Sequence, residues 1–414
     1  MLKAISNGGF SLLEKLVTRS FIQKMILKLP FNQIQKGSLT LELFGATHRF
    51  EGVEPGYHAD LVLKKPFRAY LLMKTQGELG FAQAYFEHAV DSHSLYQLMH
   101  LVYQNQAVLD DLLANTKFNL WHLWQHKKRH NSIENSRKNI SYHYDLGNDF
   151  YQMWLDKTMS YSSAIFSRDD QTLEEAQQQK YQRLIKEIDL KAGQDVLEIG
   201  CGWGGFMEAA IHKGAAIKGL TLSIEQRDFA LRRLQNQAVD GQFEVVLQDY
   251  RHEVQQYDHI VSIEMFEAVG KEYWDVYFAK LNECLKDHGK VALQVITINE
   301  RFAELYQDNV DFIQTYIFPG GLLPSLTQLK QLATKHGFKV DNVFDFGQDY
   351  AKTCRLWKQD FNKHSQTLLE QGYDKSFQKM WNYYLDYCTV GFETQHSSVV
   401  QLTLSKQERV EEAL

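Results

Sequence analysis

The chain has 414 residues, of which 44% are apolar and 23% charged, and its net charge at pH 7 is −6. This length favours one large domain with a smaller one, and the acidic balance argues against a nucleic-acid partner. No stretch reaches the ~18 uninterrupted apolar residues of a membrane span. The chain starts without the short apolar run of a signal peptide, and its four cysteines are scattered, which predicts a cytoplasmic protein with no metal site.

The first predicted element is an amphipathic helix over residues 11–29. Apolar side chains recur there at helical spacing, and basic side chains are interleaved with them. Two interpretations remain open, a helix that lies on a membrane and an ordinary helix docked on the protein. The apolar positions are Leu13, Leu16, Val17, Phe21, Met25 and Leu29, and the basic ones are Lys15, Arg19, Lys24 and Lys28.

Short strand-like runs separated by turns follow at residues 38–45, 58–65 and 69–75, and a helical pattern occupies residues 80–105. A β-rich segment followed by helices predicts a self-contained α+β module over residues 1–125. The next segment, residues 126–140, is polar and basic and lacks periodicity, which predicts a linker. It is interpreted either as a solvated loop or as a contact to lipid phosphates. Its basic residues are Lys127, Lys128, Arg129 and Arg137.

Strand and helix patterns alternate through the first half of the third predicted domain, residues 141–414. The strand patterns are DVLEIGC, AAIKGLTLS, FEVVLQDY, HIVSIEM and KVALQVITI, and the helical ones are LEEAQQQKYQRLIKEIDL, GGFMEAAIHKG, IEQRDFALRRLQNQAV and WDVYFAKLNECLKDHG. Single helices between strands predict an α/β fold with a doubly wound, mostly parallel sheet, which binds ligands beyond the carboxyl ends of its strands. Residues 300–400 break this rhythm with aromatic-rich helices.

A glycine-rich loop, EIGCGWGG, begins at Glu198 after the first of these strands. Gly200 and Gly202 allow a ligand to approach the backbone closely. A dinucleotide site would have an acidic residue about 20 positions further on, but Thr221 stands there. The spacing is similar to the S-adenosylmethionine loop of class I methyltransferases, with a generic nucleotide loop as the alternative. The pair Asp249 and Tyr250 adds an acid and an aromatic face for the adenine.

Together these stretches closely resemble the cyclopropane fatty acid synthases and their mycolic acid relatives. The matching segments are HYDLGNDFYQMWLD, MSYSSAIF, LEIGCGWGGF, GLTLSIEQ, LQDYR, VSIEMFEAVG, TYIFPGGLLPS and DYAKTCRLW. The resemblance implies methyl transfer from S-adenosylmethionine to the double bond of an unsaturated acyl chain in a membrane phospholipid. It also implies that the cofactor is lined by Tyr161, Ser162, Gly200, Gly202, Gly204, Thr221, Leu222, Gln226, Asp249, Tyr250 and Ile263.

Such chemistry requires a dry cavity, because an alkene is a poor nucleophile and the carbocation left by methyl addition would be trapped by water. Aromatic faces stabilise a cation without trapping it. The candidates in the matching segments are Tyr144, Phe150, Trp154, Tyr161, Phe266, Tyr316 and Phe318. Of these, Phe266, Tyr316 and Phe318 are the predicted substrate contacts, although each aromatic residue taken alone is more often plain core.

In the family, a bound bicarbonate held by a Cys, a Glu, a His and a Tyr takes the proton. This chain keeps the Glu as Glu267 and the Tyr as Tyr350, but it has Ser163 and Gln294 at the Cys and His positions. Glu264 stands where the family commonly has Gly. We hypothesise that the Glu264 carboxylate replaces the bicarbonate as the base, which puts bicarbonate in doubt as a cofactor. The alternative is that Glu264 turns outward or pairs with Arg251.

The expected product is a cyclopropane fatty acid, with a methyl-branched unsaturated acid as the alternative if the proton leaves a neighbouring chain carbon. The expected partner is unsaturated phospholipid at the inner face of the membrane, contacted peripherally, and a homodimer is left open. Two less favoured interpretations are a catalytically inactive lipid-binding homologue and a methyltransferase for a soluble small molecule.

Overall fold

The structure is a computed structural model that describes residues 19–108, 146–237 and 242–407. These residues fall into two compact units. The first takes the described residues before Trp124 together with Val310–Phe312 and Ser365–Val390, and the second takes the remainder. The basic linker predicted at 126–140 and the first half of the predicted N-terminal helix lie outside the described residues.

The strands are, in chain order, β1 Lys36–Leu43, β2 Ala46–Glu51, β3 Glu54–Leu63, β4 Val90–Asp91, β5 Asp195–Ile199, β6 Ala216–Thr221, β7 Phe243–Leu247, β8 Tyr257–Ile263, β9 Leu285–Ile298, β10 Phe338–Asp345 and β11 Ser397–Lys406. The α-helices are α1 Arg19–Ile26, α2 Pro66–Phe86, α3 Leu95–Gln104, α4 Asn148–Gln152, α5 Leu173–Glu187, α6 Gly205–Ile211, α7 Ile224–Gln235, α8 Trp274–Cys284, α9 Ala303–Asp308, α10 Leu326–Lys335, α11 Gly347–Lys363, α12 Ser365–Glu370 and α13 Lys375–Glu393. Short 3₁₀ turns occupy Pro30–Gln33, Tyr250–His252, Phe266–Ala268, Lys271–Tyr273 and Glu300–Phe302, and Ile313–Ile317 forms a π-helical turn. Within the three described ranges, no helix has both the length and the apolar character that crossing a bilayer requires.

The first unit contains a four-stranded sheet in the order β2-β1-β3-β4, in which β1 runs antiparallel to β2 and parallel to β3. Alternate residues of β1 point to the core, where Leu41 and Leu43 are fully buried. Helix α1 docks through its buried Ile22 and Ile26, whereas Phe21 on the same helix is exposed. The described part of this helix therefore has one buried face and one exposed face.

One strand prediction in this unit is wrong. Residues 69–75, AYLLMKT, lie inside helix α2, whose first residue is Pro66. Proline favours the first helical position because its missing N–H is not needed there. The run is also not alternating, since Ala69 and Leu72 are buried at helical spacing. The helical pattern predicted for 80–105 is in turn interrupted by the short strand β4.

Helix α13 contributes aromatic rings to the first unit. The ring of Tyr383 lies 6.1 Å from that of Tyr85, 5.6 Å from that of Phe86 and 4.7 Å from that of Phe312. This packing explains why residues 365–390 belong to the first unit, whereas the sequence analysis had assigned them to the methyltransferase domain.

The second unit contains a seven-stranded sheet in the order β10-β11-β9-β8-β5-β6-β7. Strands β5 to β9 pair in parallel, and β10 and β11 are antiparallel additions at one side. Successive residues of β5 serve opposite faces, since Val196 packs with helices α5 and α6 while Leu197 packs with helices α8 and α10. Both side chains are fully buried. The predicted doubly wound, mostly parallel sheet is confirmed.

Two boundaries in this unit differ from the prediction. The helix predicted over 274–289 ends at Cys284, and Leu285 already pairs with Tyr257 as the first residue of β9. Strands β10 and β11 lie in the region from which only aromatic helices were expected. Their apolar residues cover the side of β9 and extend the core, as the burial of Leu402 and Leu404 shows.

Candidate active site

The carboxyl ends of four neighbouring strands deliver the predicted site residues to one edge of the sheet. The chain order reverses at β5, which pairs with β6 on one side and β8 on the other. Gly200 follows β5, Thr221 ends β6, Asp249 follows β7 and Glu264 follows β8. Such a switch point leaves a crevice above the strand ends, where open α/β sheets bind their ligands.

The glycine loop after β5 borders this crevice in a conformation that favours glycine. Gly200, Gly202 and Gly204 have φ values of +83°, +52° and +82°. A Cβ atom on Gly202 would meet nothing within 4 Å, so this backbone is open to close approach. A Cβ on Gly200 would lie 2.8 Å from Cγ of Met265, which ties this loop to the segment after β8.

The polar side chains around the crevice fit S-adenosylmethionine. The buried Oε2 of Glu198 and hydroxyl of Tyr250 have no hydrogen-bond partner among the described residues, so both are available to a polar ligand. Thr221 donates a hydrogen bond to Gln226 over 2.8 Å, which fixes both side chains. Arg251 holds the Asp249 carboxylate through two hydrogen bonds and lowers its pKa against the effect of burial. Asp249 therefore stays ionised beside the crevice.

The Glu264 carboxylate points inward and receives three hydrogen bonds. Its Oε1 accepts from the backbone N–H of Ser163 over 2.9 Å and from Nε2 of Gln294 over 2.8 Å. Its Oε2 accepts from the hydroxyl of Tyr350 over 2.7 Å. These donors occupy three of the four positions that the sequence analysis assigned to the family's anion site. Glu264 thus turns inward to these donors, and the Arg251 guanidinium forms its ion pair with Asp249.

The backbone at Glu264 places the carboxylate among these donors. Its φ is +50°, in the left-handed region that side chains other than glycine rarely adopt. The conformation costs roughly 1–2 kcal/mol, and a hydrogen bond of 2.7 Å from its N–H to the carbonyl of Gln294 secures it. The strand predicted to include Met265 accordingly ends at Ile263. Strain kept at such a position is typical of functional sites.

The two acids of this segment have different electrostatics. Burial raises the pKa of Glu264, and the hydrogen bonds from Tyr350, Gln294 and Ser163 together with the charge of Lys180 oppose that rise. Burial and the neighbouring Glu264 raise the pKa of Glu267 to about 8. Oε1 of Glu267 accepts a hydrogen bond from Ile296 N–H over 2.5 Å, and its Oε2 is buried without a partner in the described chain. At neutral pH, Glu267 is thus a neutral acid and does not join the donors on Glu264.

Aromatic rings form a continuous wall beside the site. The ring of Tyr161 lies 5.3 Å from that of Trp154, 5.4 Å from that of Trp357 and 6.2 Å from that of Phe318. Tyr350 in turn packs its ring 6.0 Å from that of Trp357. The hydroxyl that binds Glu264 therefore belongs to a tyrosine of the same aromatic wall.

A family model supports the same interpretation. Residues 131–402, well over half of the chain, match the model described as mycolic acid cyclopropane synthetase. The chain belongs to the mycolic acid cyclopropane synthetase family. The predicted family, the S-adenosylmethionine-dependent methyltransferase class and its cofactor are confirmed.

The chain is similar to individual members of this family in sequence and in structure. The chain is 38% identical over 286 residues, 67% of its length, to tuberculostearic acid methyltransferase UfaA1 of Mycobacterium tuberculosis. It is 38% identical over 266 residues, 64% of its length, to cyclopropane-fatty-acyl-phospholipid synthase of Escherichia coli K12. Each match spans 66% of the relative, just under two thirds. The structure of mycolic acid cyclopropane synthase CmaA1 with SAH and CTAB superposes with a TM-score of 0.62 at 33% identity, covering 65% of this chain and 98% of that one.

Some predicted residues of the family site lie elsewhere or contribute differently. The ring of Phe266 packs in the core of the second unit against Trp274, Tyr277 and Phe278, so its packing gives no support to a substrate contact. Tyr316 lies in the π-helical turn, Phe150 is fully buried, and Tyr144 is outside the described residues. Leu222 directly follows β6 and Ile263 ends β8, and both are partly buried, so their role in lining the cofactor stays a prediction.

Two residues of helix α5 were missed by sequence reasoning. Nε2 of Gln177 donates to the carbonyl of Ser162 over 2.9 Å, and Nζ of Lys180 donates to its hydroxyl over 2.6 Å. Both side chains are fully buried. The signal was available, because Lys180 lies four residues from both Ala176 and Leu184 in the apolar stripe of this helix.

Proposed function

We propose that the protein transfers the methyl group of S-adenosylmethionine to the double bond of an unsaturated acyl chain in a membrane phospholipid, with Glu264 as the base. The observation that carries this proposal is the set of three donors on the Glu264 carboxylate. By resemblance, the same positions hold bicarbonate in the family. A carboxylate presents two oxygens with the acceptor geometry of bicarbonate, so it suits the same donors.

The residues of the crevice bind and orient the reactants. When bound, S-adenosylmethionine would supply an electrophilic methyl group: attack by the alkene on this carbon would break its bond to sulfur, release S-adenosylhomocysteine and leave a carbocation on the acyl chain. The open backbone at Gly202 and the unpaired Glu198 and Tyr250 atoms receive the cofactor. The ring faces of Tyr161 and Trp357 stabilise the positive charge and keep out water that would add to it.

Glu264 then accepts a proton from the transferred carbon. The electrons of that C–H bond form the last C–C bond of the ring, so a cyclopropane and a protonated Glu264 result. Burial favours this step, since it raises the pKa of Glu264 and makes the carboxylate a better proton acceptor. Tyr350, Gln294 and Ser163 hold its oxygens in place during the transfer.

Substitution of the base tests this assignment. Glu264→Gln should lower turnover by ~10²-fold or more, since the amide keeps the shape but accepts no proton. The matched control is Glu244→Gln, the same change at an exposed glutamate of β7, and it should leave turnover unchanged. Methyl incorporation from labelled S-adenosylmethionine into unsaturated phospholipid vesicles measures both rates. Equal rates for Glu264→Gln and the wild type would exclude Glu264 as the base.

A second product, a methyl-branched alkene, is the alternative to the cyclopropane. A carboxylate fixed to the backbone at position 264 can take the proton from only one carbon of the substrate. If that carbon is a neighbouring carbon of the acyl chain and not the transferred one, the product is a methyl-branched alkene. The relative named as a tuberculostearic acid methyltransferase points the same way. Expression in a host lacking such an enzyme, followed by gas chromatography before and after mild hydrogenation, separates the two products. A cyclopropane survives mild hydrogenation, whereas the branched alkene takes up hydrogen.

The phospholipid and membrane part of the proposal is supported by helix α1. Phe21 and Lys24 are exposed on it, while Ile22 and Ile26 anchor the opposite face. An apolar ring beside a basic side chain suits the boundary of an anionic bilayer. Flotation with anionic phospholipid vesicles should carry the protein upward. Retention at the bottom of the gradient would favour a soluble small molecule as substrate, and cofactor binding without methyl incorporation would favour an inactive lipid-binding homologue.

A further inference from the structure

Helix α5 places a buried cation behind the proposed base. The Lys180 side chain is 0% exposed, and the hydrogen bond from its Nζ to the Ser162 hydroxyl is 2.6 Å long. Ser162 directly precedes Ser163, whose N–H binds Glu264. Within the described residues no carboxylate forms an ion pair with Lys180, and the ring of Tyr181 lies 4.6 Å from its Nζ. A charged side chain is almost never fully buried unless its charge is needed by a neighbour.

The carboxyl groups near Lys180 differ in how strongly they interact with its charge. Three carboxyl groups act on it, those of Glu264, Asp156 and Glu198, with the effect of Glu264 the largest of the three. Burial raises the pKa of Glu198 well above its usual value, and burial also raises the pKa of Asp156. Glu264 thus has the largest effect of the three on Lys180, and the hydrogen-bonded Ser162–Ser163 segment connects the two side chains.

We propose that Lys180 is a positioning residue for the reaction, whose buried ammonium holds Glu264 in its ionised, proton-accepting form across the Ser162–Ser163 segment. This inference rests on the proposed function, because it assumes that Glu264 is the base. Burial lowers the pKa of Lys180 to about 8, so the side chain still carries its charge at neutral pH. The other groups that face Glu264 are Tyr350 from helix α11 and the neutral Glu267, and neither supplies a positive charge.

Two substitutions on one helix separate charge from structure. Lys180→Met removes the charge and keeps most of the volume. Gln177→Met is the matched control, since Gln177 is equally buried on α5 and also binds Ser162 but carries no charge. The measurement is kcat/KM for phospholipid vesicles as a function of pH.

The expected result differs between the two variants in the acid limb of the profile. In Lys180→Met the limb should move to higher pH by about one unit or more, because Glu264 loses the charge that favours its ionisation. Activity should then fall at least ~10-fold at pH values on the acid limb and recover as the pH rises. Gln177→Met should lower activity equally at all pH values. An unshifted limb in Lys180→Met overturns the inference.

An infrared titration of the protein without cofactor provides a second measurement. The protonated-carboxyl band that disappears in Glu264→Gln should titrate at higher pH in Lys180→Met than in the wild type. If Lys180→Met does not fold, Lys180→Gln serves in its place, since its amide still reaches towards the Ser162 hydroxyl. An unchanged titration overturns the inference even if activity falls. If Glu264→Gln keeps full activity, the proposed base is wrong; if it is inactive and the Lys180 variant titrates normally, only the role of Lys180 is wrong.

Discussion

The substitution Glu264→Gly should convert the proposed built-in base into a binding site for a free anion. It removes the carboxylate but keeps the three donors of Ser163, Gln294 and Tyr350. Glycine is also the residue that the family commonly carries here. Because φ is +50° at this position, glycine adopts the backbone without strain.

The magnitudes predict a folded but inactive variant. Relief of the left-handed conformation stabilises the native state by roughly 1–2 kcal/mol. The greater freedom of glycine in the unfolded chain costs about 0.5–1 kcal/mol, and the donors that lose the carboxylate can bind water. Stability should therefore change by no more than about 1.5 kcal/mol. Turnover without added anion should fall by ~10²–10⁴-fold, the usual contribution of a general base.

Bicarbonate should restore part of this activity. The assay is methyl incorporation into unsaturated phospholipid vesicles in carbonate-free buffer, with bicarbonate added in steps. The rate of Glu264→Gly should rise at least ~10-fold and saturate, because the anion occupies a defined site. Glu264→Gln is the control, since its side chain still fills the space and should block the rescue.

Two results would refute this reasoning. A Glu264→Gly enzyme that works at the wild-type rate in carbonate-free buffer has no need of the Glu264 carboxylate. A folded and inactive variant that gains nothing from bicarbonate, or from a smaller anion such as formate, shows that the three donors do not form an anion site. The wild type should be indifferent to bicarbonate in either case.

Three further outcomes follow from the site. The pKa of Glu267 is about 8 in the native state against 4.5 for the ordinary group, so between these pH values the native state keeps a proton that the unfolded chain releases. The free energy of unfolding should therefore fall by up to ~1.4 kcal/mol per pH unit in this range. Urea unfolding at several pH values should show a weaker dependence of this free energy on pH in Glu267→Gln. Tyr350→Phe removes one hydrogen bond to ionised Glu264, worth roughly 1.5–3 kcal/mol, so the acid limb of kcat/KM should move up by about one to two pH units. An unmoved limb would contradict that contact. Gly200→Ala places Cβ 2.8 Å from Met265 Cγ at a φ of +83°. Thermal unfolding should therefore show a free energy of unfolding lower by about 1–2 kcal/mol, and calorimetry should show weaker binding of S-adenosylhomocysteine. Unchanged values would mean that the loop adapts to the added methyl group.

The parallel half of the fold was predictable because its signals are local. Buried strands such as β5 are short apolar runs in the sequence, and the helices between them show apolar residues at helical spacing. The segment 69–75 failed because an apolar run of that length suits a strand and a buried helix equally well. The preceding Pro66 was the overlooked signal. Strands β10 and β11 gain their stability from pairing with β9, a contact between distant parts of the chain that no local pattern contains.

The site was predictable as a set of positions but not as an arrangement. Motif positions named Ser163, Gln294 and Tyr350, yet their convergence on Glu264 depends on one backbone angle after β8. Neighbouring residues do not specify that angle. Lys180 escaped notice because a lysine in a helix is usually a solvated surface residue. Its spacing from Ala176 and Leu184 in the apolar stripe of α5 was the overlooked signal, and the packing of α5 shows that it is buried.

The charges of the site explain why a base fixed to the chain suits this protein. Gln294 can orient an anion through a hydrogen bond but carries no positive charge, whereas the histidine at this position in the family can carry one. The negative charge of Glu264 is part of the chain, so its hydrogen-bond donors need only orient the carboxylate. The positive charge of Lys180 favours the ionised form of this carboxylate. The buried Glu267 stays neutral beside it, since two adjacent carboxylates would repel each other. In the proposed mechanism, Gln294 at the histidine position and Glu264 in the place of bicarbonate thus belong to one electrostatic arrangement.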